Sequence, residues 1–390
     1  MDGMSGADMS GMHHDMGAPM TGLFGSYPMT RDASGTSWQP DAAPHEGLHA
    51  TLDGWELMGH AAFDLVFDSQ SGPRGDTQWF VQGMMMGAAR HTLGEGDTLN
   101  LRLMLSPDAL MGRRGYPLLL ASGETLIDRQ HPHDLVMELA GSYTHVFSSD
   151  DSAFLYLGYP GEPALGPPAF LHRASGMDIP EAPAAHHWLD STHITFGVAT
   201  LGVVHDDWKV EVSRFTGREP DQDRFGFDTA RFDSTAARLT WNPSAHWSLQ
   251  ASWGFLKSPE ELAPSLNETR LTASAEYVDG PFAATLAFGH KQLSDGTGLN
   301  AWLLEGEYKP DADWTVFARA ETVENDELFA SGTVETADKL SLGLIRDWRV
   351  GAHALVGLGG LYDFDIAPAG SPSYGGGPHG AMLFLRLRAG

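Results

Sequence analysis

Cysteine, positive charge and long apolar runs are missing or scarce in this chain of 390 residues. It has no cysteine, which excludes disulfide scaffolds, thiolate metal sites and thiol nucleophiles and suits an exported protein that must avoid stray disulfides. Lys and Arg number 24 against 51 Asp and Glu, a formal net charge of −27. That sign argues against a nucleic-acid partner, since phosphate binding needs basic charge, and it is compatible with attracting cations. No stretch of about 18 consecutive apolar residues occurs, so a bundle of transmembrane helices is excluded. The N-terminus lacks a basic region followed by an apolar run, so no signal peptide is expected, and an exported chain would be in its processed form. Catalytic signatures are also absent: there is no GxSxG, HExxH or phosphate loop. Ser142 and His145 share one segment at opposite parity and make no obvious hydrolytic pair for a barrel phospholipase. The expectation is a protein that is not an enzyme.

What the chain does have begins at its N-terminus. Seven of its 16 methionines lie within the first 29 residues. Met4, Met9, Met12, Met16 and Met20 recur around His13 and His14, separated by Gly, Ser, Asp and Ala. Such spacers cannot pack a core, so residues 1–29 read as a disordered tail. A disordered tail has no folding reason to carry methionine. Thioether is a soft, neutral ligand that suits Cu(I), and imidazole serves either copper oxidation state, so copper capture is the functional reading and a flexible leader of biased composition the bland one. Residues 30–49 continue as a Gly/Pro/Ser-rich linker that could fold back into whatever follows.

From about residue 50 to 390 the hydropathy alternates with period two. WELMGHAAFDLVF at 55–67 is the first of sixteen such segments and HGAMLFLRLR near the C-terminus the last. Alternation of this kind marks strands with one apolar and one polar face. Every second connection is short, as at 94–97, 148–151, 204–207, 242–246, 278–281 and 310–313, whereas 106–134, 160–193 and 215–233 are long. Short turns at one rim and long loops at the other predict an all-β fold: a transmembrane antiparallel β-barrel of about 16 strands in a bacterial outer membrane. Trp55, Trp79, Tyr159, Trp208, Trp247, Tyr277, Trp314 and Tyr362 near strand ends would form its aromatic girdles against outer-membrane lipid. With the short turns periplasmic, the tail hangs in the periplasm.

Parity then assigns each side chain to lipid or lumen. Glu56, Met58, His60 and Asp64 share a face, and so do Gln82, Met84, Met86 and Arg90, which leaves Met85 outward. Asn100 and Arg102 take Met104 inward with them. Charged residues facing lipid are costly, so Met58, His60, Met84, Met86 and Met104 are expected to line the lumen, as exchange sites for Cu(I) or as space-filling beneath a plug. In the long loops, DRQHPHD places Asp128, His131, His133 and Asp134 close together, and the next loop carries His172, Asp178, His186, His187, Asp190 and His193. The loop after it reads GREPDQDR, with Arg218, Glu219, Asp221, Asp223 and Arg224. Paired histidines with flanking carboxylates could hold or orient a metal. A network of ion pairs at the mouth of a pore, with Arg129, Arg218 and Arg224, is the structural alternative.

Tail and barrel together resemble the copper-resistance protein B family of bacterial outer-membrane proteins. Met4, Met9, Met12, His13, His14, Met16 and Met20 match the Met/His style of that family's tail, and the remainder matches in architecture alone. The resemblance implies copper as the bound metal, Cu(I) favoured, and a part in copper transport or resistance at the cell envelope, with a periplasmic copper protein as a candidate partner. The reading from another class is a passive porin for small organic solutes with loops two to four as its filter; a barrel with a plugged, structural lumen is a third.

Overall fold

The computed structural model describes residues 21–44, 47–122, 126–261, 263–328, 333–368 and 372–390. Sixteen strands close into one antiparallel barrel. They are β1 (Trp55–Gln70), β2 (Thr77–Gly94), β3 (Asp97–Leu105), β4 (Val136–Val146), β5 (Asp151–Gly158), β6 (Val198–His205), β7 (Trp208–Phe215) and β8 (Ser234–Ser244), followed by β9 (Trp247–Leu256), β10 (Glu268–Asp279), β11 (Phe282–Leu293), β12 (Gly298–Tyr308), β13 (Trp314–Asn325), β14 (Glu335–Arg349), β15 (Ala354–Ile366) and β16 (His379–Ala389). Each pairs with its neighbours in sequence, and β16 returns to β1 in register from Gly380 opposite Gln70 to Ala389 opposite Ala61. Closure leaves no unpaired sheet edge, the condition for a sheet to stand in lipid. A further short strand, Leu48–Leu52, pairs with the start of β1 through a turn in which Asp53 and Gly54 have φ of 50° and 81°, the left-handed pair that a two-residue hairpin requires.

The two rims differ as the connection lengths predict. Turns at 95–96, 147–150, 206–207, 245–246, 280–281, 309–313 and 350–353 form one; the other carries the long connections 106–135, 159–197 and 216–233. Burial is inverted relative to a water-soluble core. Leu101, Leu103, Leu157, Leu201, Leu286, Leu304, Leu344, Leu383 and Leu385 are exposed on the outside, whereas Arg238, Arg270, Arg319, Lys209 and Glu305 are buried inside. Trp208 stacks on Trp241 with ring centroids 4.9 Å apart, and Trp247 meets Tyr277 at 4.8 Å, beside the short turns. An apolar exterior ringed by aromatics fits a hydrocarbon slab.

The lumen is filled, and the linker takes part in filling it. Residues 21–44, split by composition between tail and linker, lie against the inner wall of β3 to β9. Arg31 holds Asp41 through two hydrogen bonds of 2.6 and 2.8 Å and reaches Asp207 at 3.1 Å. Trp38, almost fully buried, lies under Arg31 at 4.8 Å and Lys209 at 4.5 Å, so two cations sit on one ring. The wall donates to the plug's carbonyls: Asn100 and Thr144 to Leu23, Ser152 to Phe24, Asn242 to Gln39, Lys209 to Thr36 and Arg102 to Gly35. A Gly/Pro/Ser-rich segment offers many backbone acceptors and little bulk, which is what an inward face rich in Arg, Lys and Asn can satisfy.

Two long loops complete the filling. Loop two (106–135) buries Leu118, Leu119 and Leu120. Loop three (159–197) is tied to the far wall by ion pairs: Arg173 to Glu305 at 2.6 Å, Lys309 to Asp178 at 3.2 Å and Lys339 to Glu181 at 2.9 Å. Arg386 adds a short pair to Asp178.

Candidate metal-binding sites in the lumen

Strand parity decides the first cluster. Met84 and Met86 are 4% and 9% exposed inside the barrel, while Met85 between them is 48% exposed on the outside. His60 on β1 lies opposite Met86 on β2, which lies opposite Met104 on β3, so one imidazole and two thioethers stand side by side across three strands. Met84, Met86 and Met104 form a buried cluster with Met137 and Ile194, packed by Met58 and Leu171. A cavity of about 130 Å³ opens beside it, lined by Met29 from the plug, Met58, His60, Met84 and Met86 from the wall, and His172 and Met177 from loop three. Thioethers here come from three separate parts of the chain and face shared space, an arrangement that offers neutral, soft ligands with imidazole in reach.

Met137 is outside what alternation could find. By parity with Leu139 it faces lipid, yet it is 2% exposed inside. A register shift between β3 and β4, at Met104 and Leu105, turns both Met137 and Glu138 inward, as a bulge re-aims a side chain. Met29 and Met177 were hidden for another reason: they reach the cavity from the plug and from loop three, where no period applies.

The second cluster is built by loops. His131 and His133 come from loop two, His193 from loop three, and His186 and His187 from a single helical turn, α1 (His186–Leu189), also in loop three. Ring centroids are 5.0 Å apart for His133 and His193, 5.2 Å for His186 and His193, 5.4 Å for His186 and His187, and 5.5 Å for His131 and His187. Two of these rings are fixed through Nδ1: His186 lies 2.8 Å from an Asp190 oxygen and His193 lies 2.8 Å from the Asp190 carbonyl; His133 Nδ1 lies 2.8 Å from an Asp108 oxygen but makes no hydrogen bond to it. Asp190 is fixed in turn by Arg173 at 2.6 Å. Burial holds His186 near pKa 4 and His193 well below the ordinary histidine range, so both rings are neutral, the ligand form of imidazole.

His187 is of a different kind. Its Nδ1 lies 3.1 Å from Glu219 and 3.6 Å from Glu260. Burial alone would lower its pKa, but the two carboxylates raise it to about 10, which makes it an imidazolium. Among the described residues, His187, Glu219 and Glu260 are the one set whose three potential ligand atoms lie within 4.8 Å of one another. Lys291 adds a fourth charge at 3.2 Å from Glu260.

Of the loop residues singled out by sequence, the structure brings His131, His133, His186, His187 and His193 together. Asp128 is elsewhere, paired with Arg74 at 2.5 Å and accepting from Tyr374 at 2.8 Å; Asp134 pairs with Arg224 at 3.4 Å. The carboxylates that orient the rings are Asp108 and Asp190. Asp108 sits outside the DRQHPHD motif, in a stretch with no sequence signal. Met4, Met9, Met12, His13, His14, Met16 and Met20 lie outside the described residues.

No protein-family model matches this sequence, and no curated protein does. Solved structures match in shape. OmpF of Salmonella typhi, in complex with daunomycin, superposes with a TM-score of 0.58 at 11% identity, over 87% of this chain and 100% of that one. OprB of Pseudomonas putida gives 0.53 at 11% identity over 86% and 94%, and an anion-selective porin from Comamonas acidovorans gives 0.51 at 10% identity over 86% and 99%. At these identities the likeness is one of fold: this chain has the architecture of the outer-membrane porin barrels.

Proposed function

We propose that this chain is an outer-membrane barrel with a filled lumen that binds copper, Cu(I) foremost, and takes part in copper transport or resistance at the cell envelope. The observation that carries the reading is the methionine wall. Met58, Met84, Met86 and Met104 share an inward face that in a generic porin is polar, and Met29 and Met177 meet them there beside His60 and His172. Copper is the cargo. The wall's thioethers are neutral and bind softly, so Cu(I) can exchange among them, and the histidines give it a firmer stop. The Met/His-rich tail at the short-turn rim would deliver ions from the periplasm, with Met4, Met9, Met12, His13, His14, Met16 and Met20 as its ligands. Membership of the copper-resistance protein B family is part of this proposal.

A competitive Cu(I) titration of the detergent-solubilised chain against a chelator tests it. Full-length protein should bind several equivalents. A chain beginning at Thr21 keeps the whole plug and should lose the tail's share; replacing Met58, Met84 and Met86 by leucine should lose the wall's. Absence of competition by any form sinks the copper reading.

The porin-like fold favours a second reading, a diffusion channel, in which the plug must leave. It predicts steady single-channel conductance from the full chain, whereas a filled lumen predicts none.

A further inference from the structure

We infer that His133, His186 and His193 form a separate site for a divalent first-row transition-metal ion, held through their Nε2 atoms. The inference does not depend on the copper reading: it concerns other residues, another ligand chemistry and another part of the lumen.

His186 and His193 each have one ring nitrogen hydrogen-bonded and one left over, and His133 has neither nitrogen hydrogen-bonded. Nδ1 faces a fixed oxygen in every case, from Asp108, from the Asp190 carboxylate and from the Asp190 backbone carbonyl. Nε2 in every case is buried and has no hydrogen-bond partner in the protein. The rings are 1–9% exposed. A buried imidazole nitrogen without a partner is costly, and a hydrogen bond at Nδ1 that fixes tautomer and direction is the usual support of a metal-ligating histidine. With Nε2 about 2.1 Å from an ion, two imidazole centroids at the tetrahedral angle lie about 5.2 Å apart; the His133–His193 and His186–His193 pairs stand at 5.0 and 5.2 Å, although the three ligand nitrogens are not all within 4.8 Å of one another.

The ring packing has a plainer explanation, an aromatic stack around Phe170, whose centroid lies 5.5 Å from His186 and 6.1 Å from His133. A stack explains the rings' proximity but not three orphaned acceptors, since phenyl side chains would fill the space without them. The neighbouring His187, Glu219 and Glu260 are closer to one another, but there an imidazolium and the Lys291 ammonium already offset the two carboxylates. The trio is wider than that set, so holding an ion requires its rings to turn inward. Imidazole ligation suits first-row ions such as Zn²⁺, Cu²⁺ or Co²⁺ and disfavours hard Mg²⁺.

Co²⁺ alone, added to the chelator-treated full chain in detergent, provides the probe. One equivalent should bind with the visible absorption of a tetrahedral site of three imidazoles completed by water, and Zn²⁺ should displace it. His186→Ala and His193→Ala should each abolish the band, and Asp108→Asn should weaken binding about 10–100-fold by releasing His133. His193→Gln keeps the side-chain bulk, and heat-modifiable migration in gels confirms that each variant is a closed barrel. Met84→Leu with Met86→Leu should keep the Co²⁺ band intact. No uptake of Co²⁺, or an unchanged band in folded His186→Ala and His193→Gln, overturns the site. A band that survives while Cu(I) binding fails would remove the copper reading and leave this one standing.

Discussion

The methionine wall and the histidine cluster occupy the same lumen, yet they are made in opposite ways. The wall is local. Met84 and Met86 are two apart on one strand, and hydrogen bonding to β1 and β3 sets His60 and Met104 beside Met86. The histidine cluster is non-local: its members come from two loops that leave the barrel rim and fold back, and loop three is pinned by charges on the opposite wall. A wall residue keeps its place as long as the barrel is closed, whereas a loop residue keeps it only while the buried ion pairs hold. Perturbations should therefore separate the two clusters.

The largest separation is expected from Arg173→Ala. It strips Asp190 and Glu305 of a buried partner, a loss worth about 3–5 kcal/mol in comparable settings. Loop three should become open to protease between residues 159 and 197 and the Co²⁺ site should vanish, while Cu(I) binding at Met84 and Met86 survives. Trp38→Ala attacks the plug instead, removing a buried indole at a cost of about 3 kcal/mol or more. Its signature is a lower melting temperature together with ion conductance above that of the parent chain. Met84→Leu with Met86→Leu is conservative in volume, so each should cost under about 1.5 kcal/mol; Cu(I) affinity should drop by at least about tenfold, or about 1.4 kcal/mol. Smallest is Met85→Leu. This residue lies between the other two in sequence but faces outward, and its replacement should shift stability by less than about 0.5 kcal/mol and leave Cu(I) titrations superimposable on those of the parent.

The same contrast explains what could be read from the chain. Sixteen strands, their rims and the inward direction of Met58, His60, Met84, Met86 and Met104 follow from period two and connection length, because a barrel strand has only two directions for a side chain. Met137 escaped because one bulge reverses that rule locally. Asp190, four residues from His186, is legible in the loop's own sequence, whereas the partners around the loop-two histidines could not be read from spacing. Asp128 and Asp134 are the nearest carboxylates in sequence, but Arg74 and Arg224 take them, and the rings are oriented by Asp108 and Asp190. The plug is an intermediate case: its Gly/Pro/Ser content excludes a core of its own, and the reason it packs is the row of donors on β3 to β9 that it meets.

The central claim is that the inward methionines bind copper, and one experiment isolates it. Competitive Cu(I) titration of the chain beginning at Thr21 is compared with the same chain carrying Met58→Leu, Met84→Leu and Met86→Leu, with Met85→Leu as the outward control. The account predicts binding by the parent and by Met85→Leu and its loss in the triple variant. Equal binding by all three, or binding by none, would contradict it.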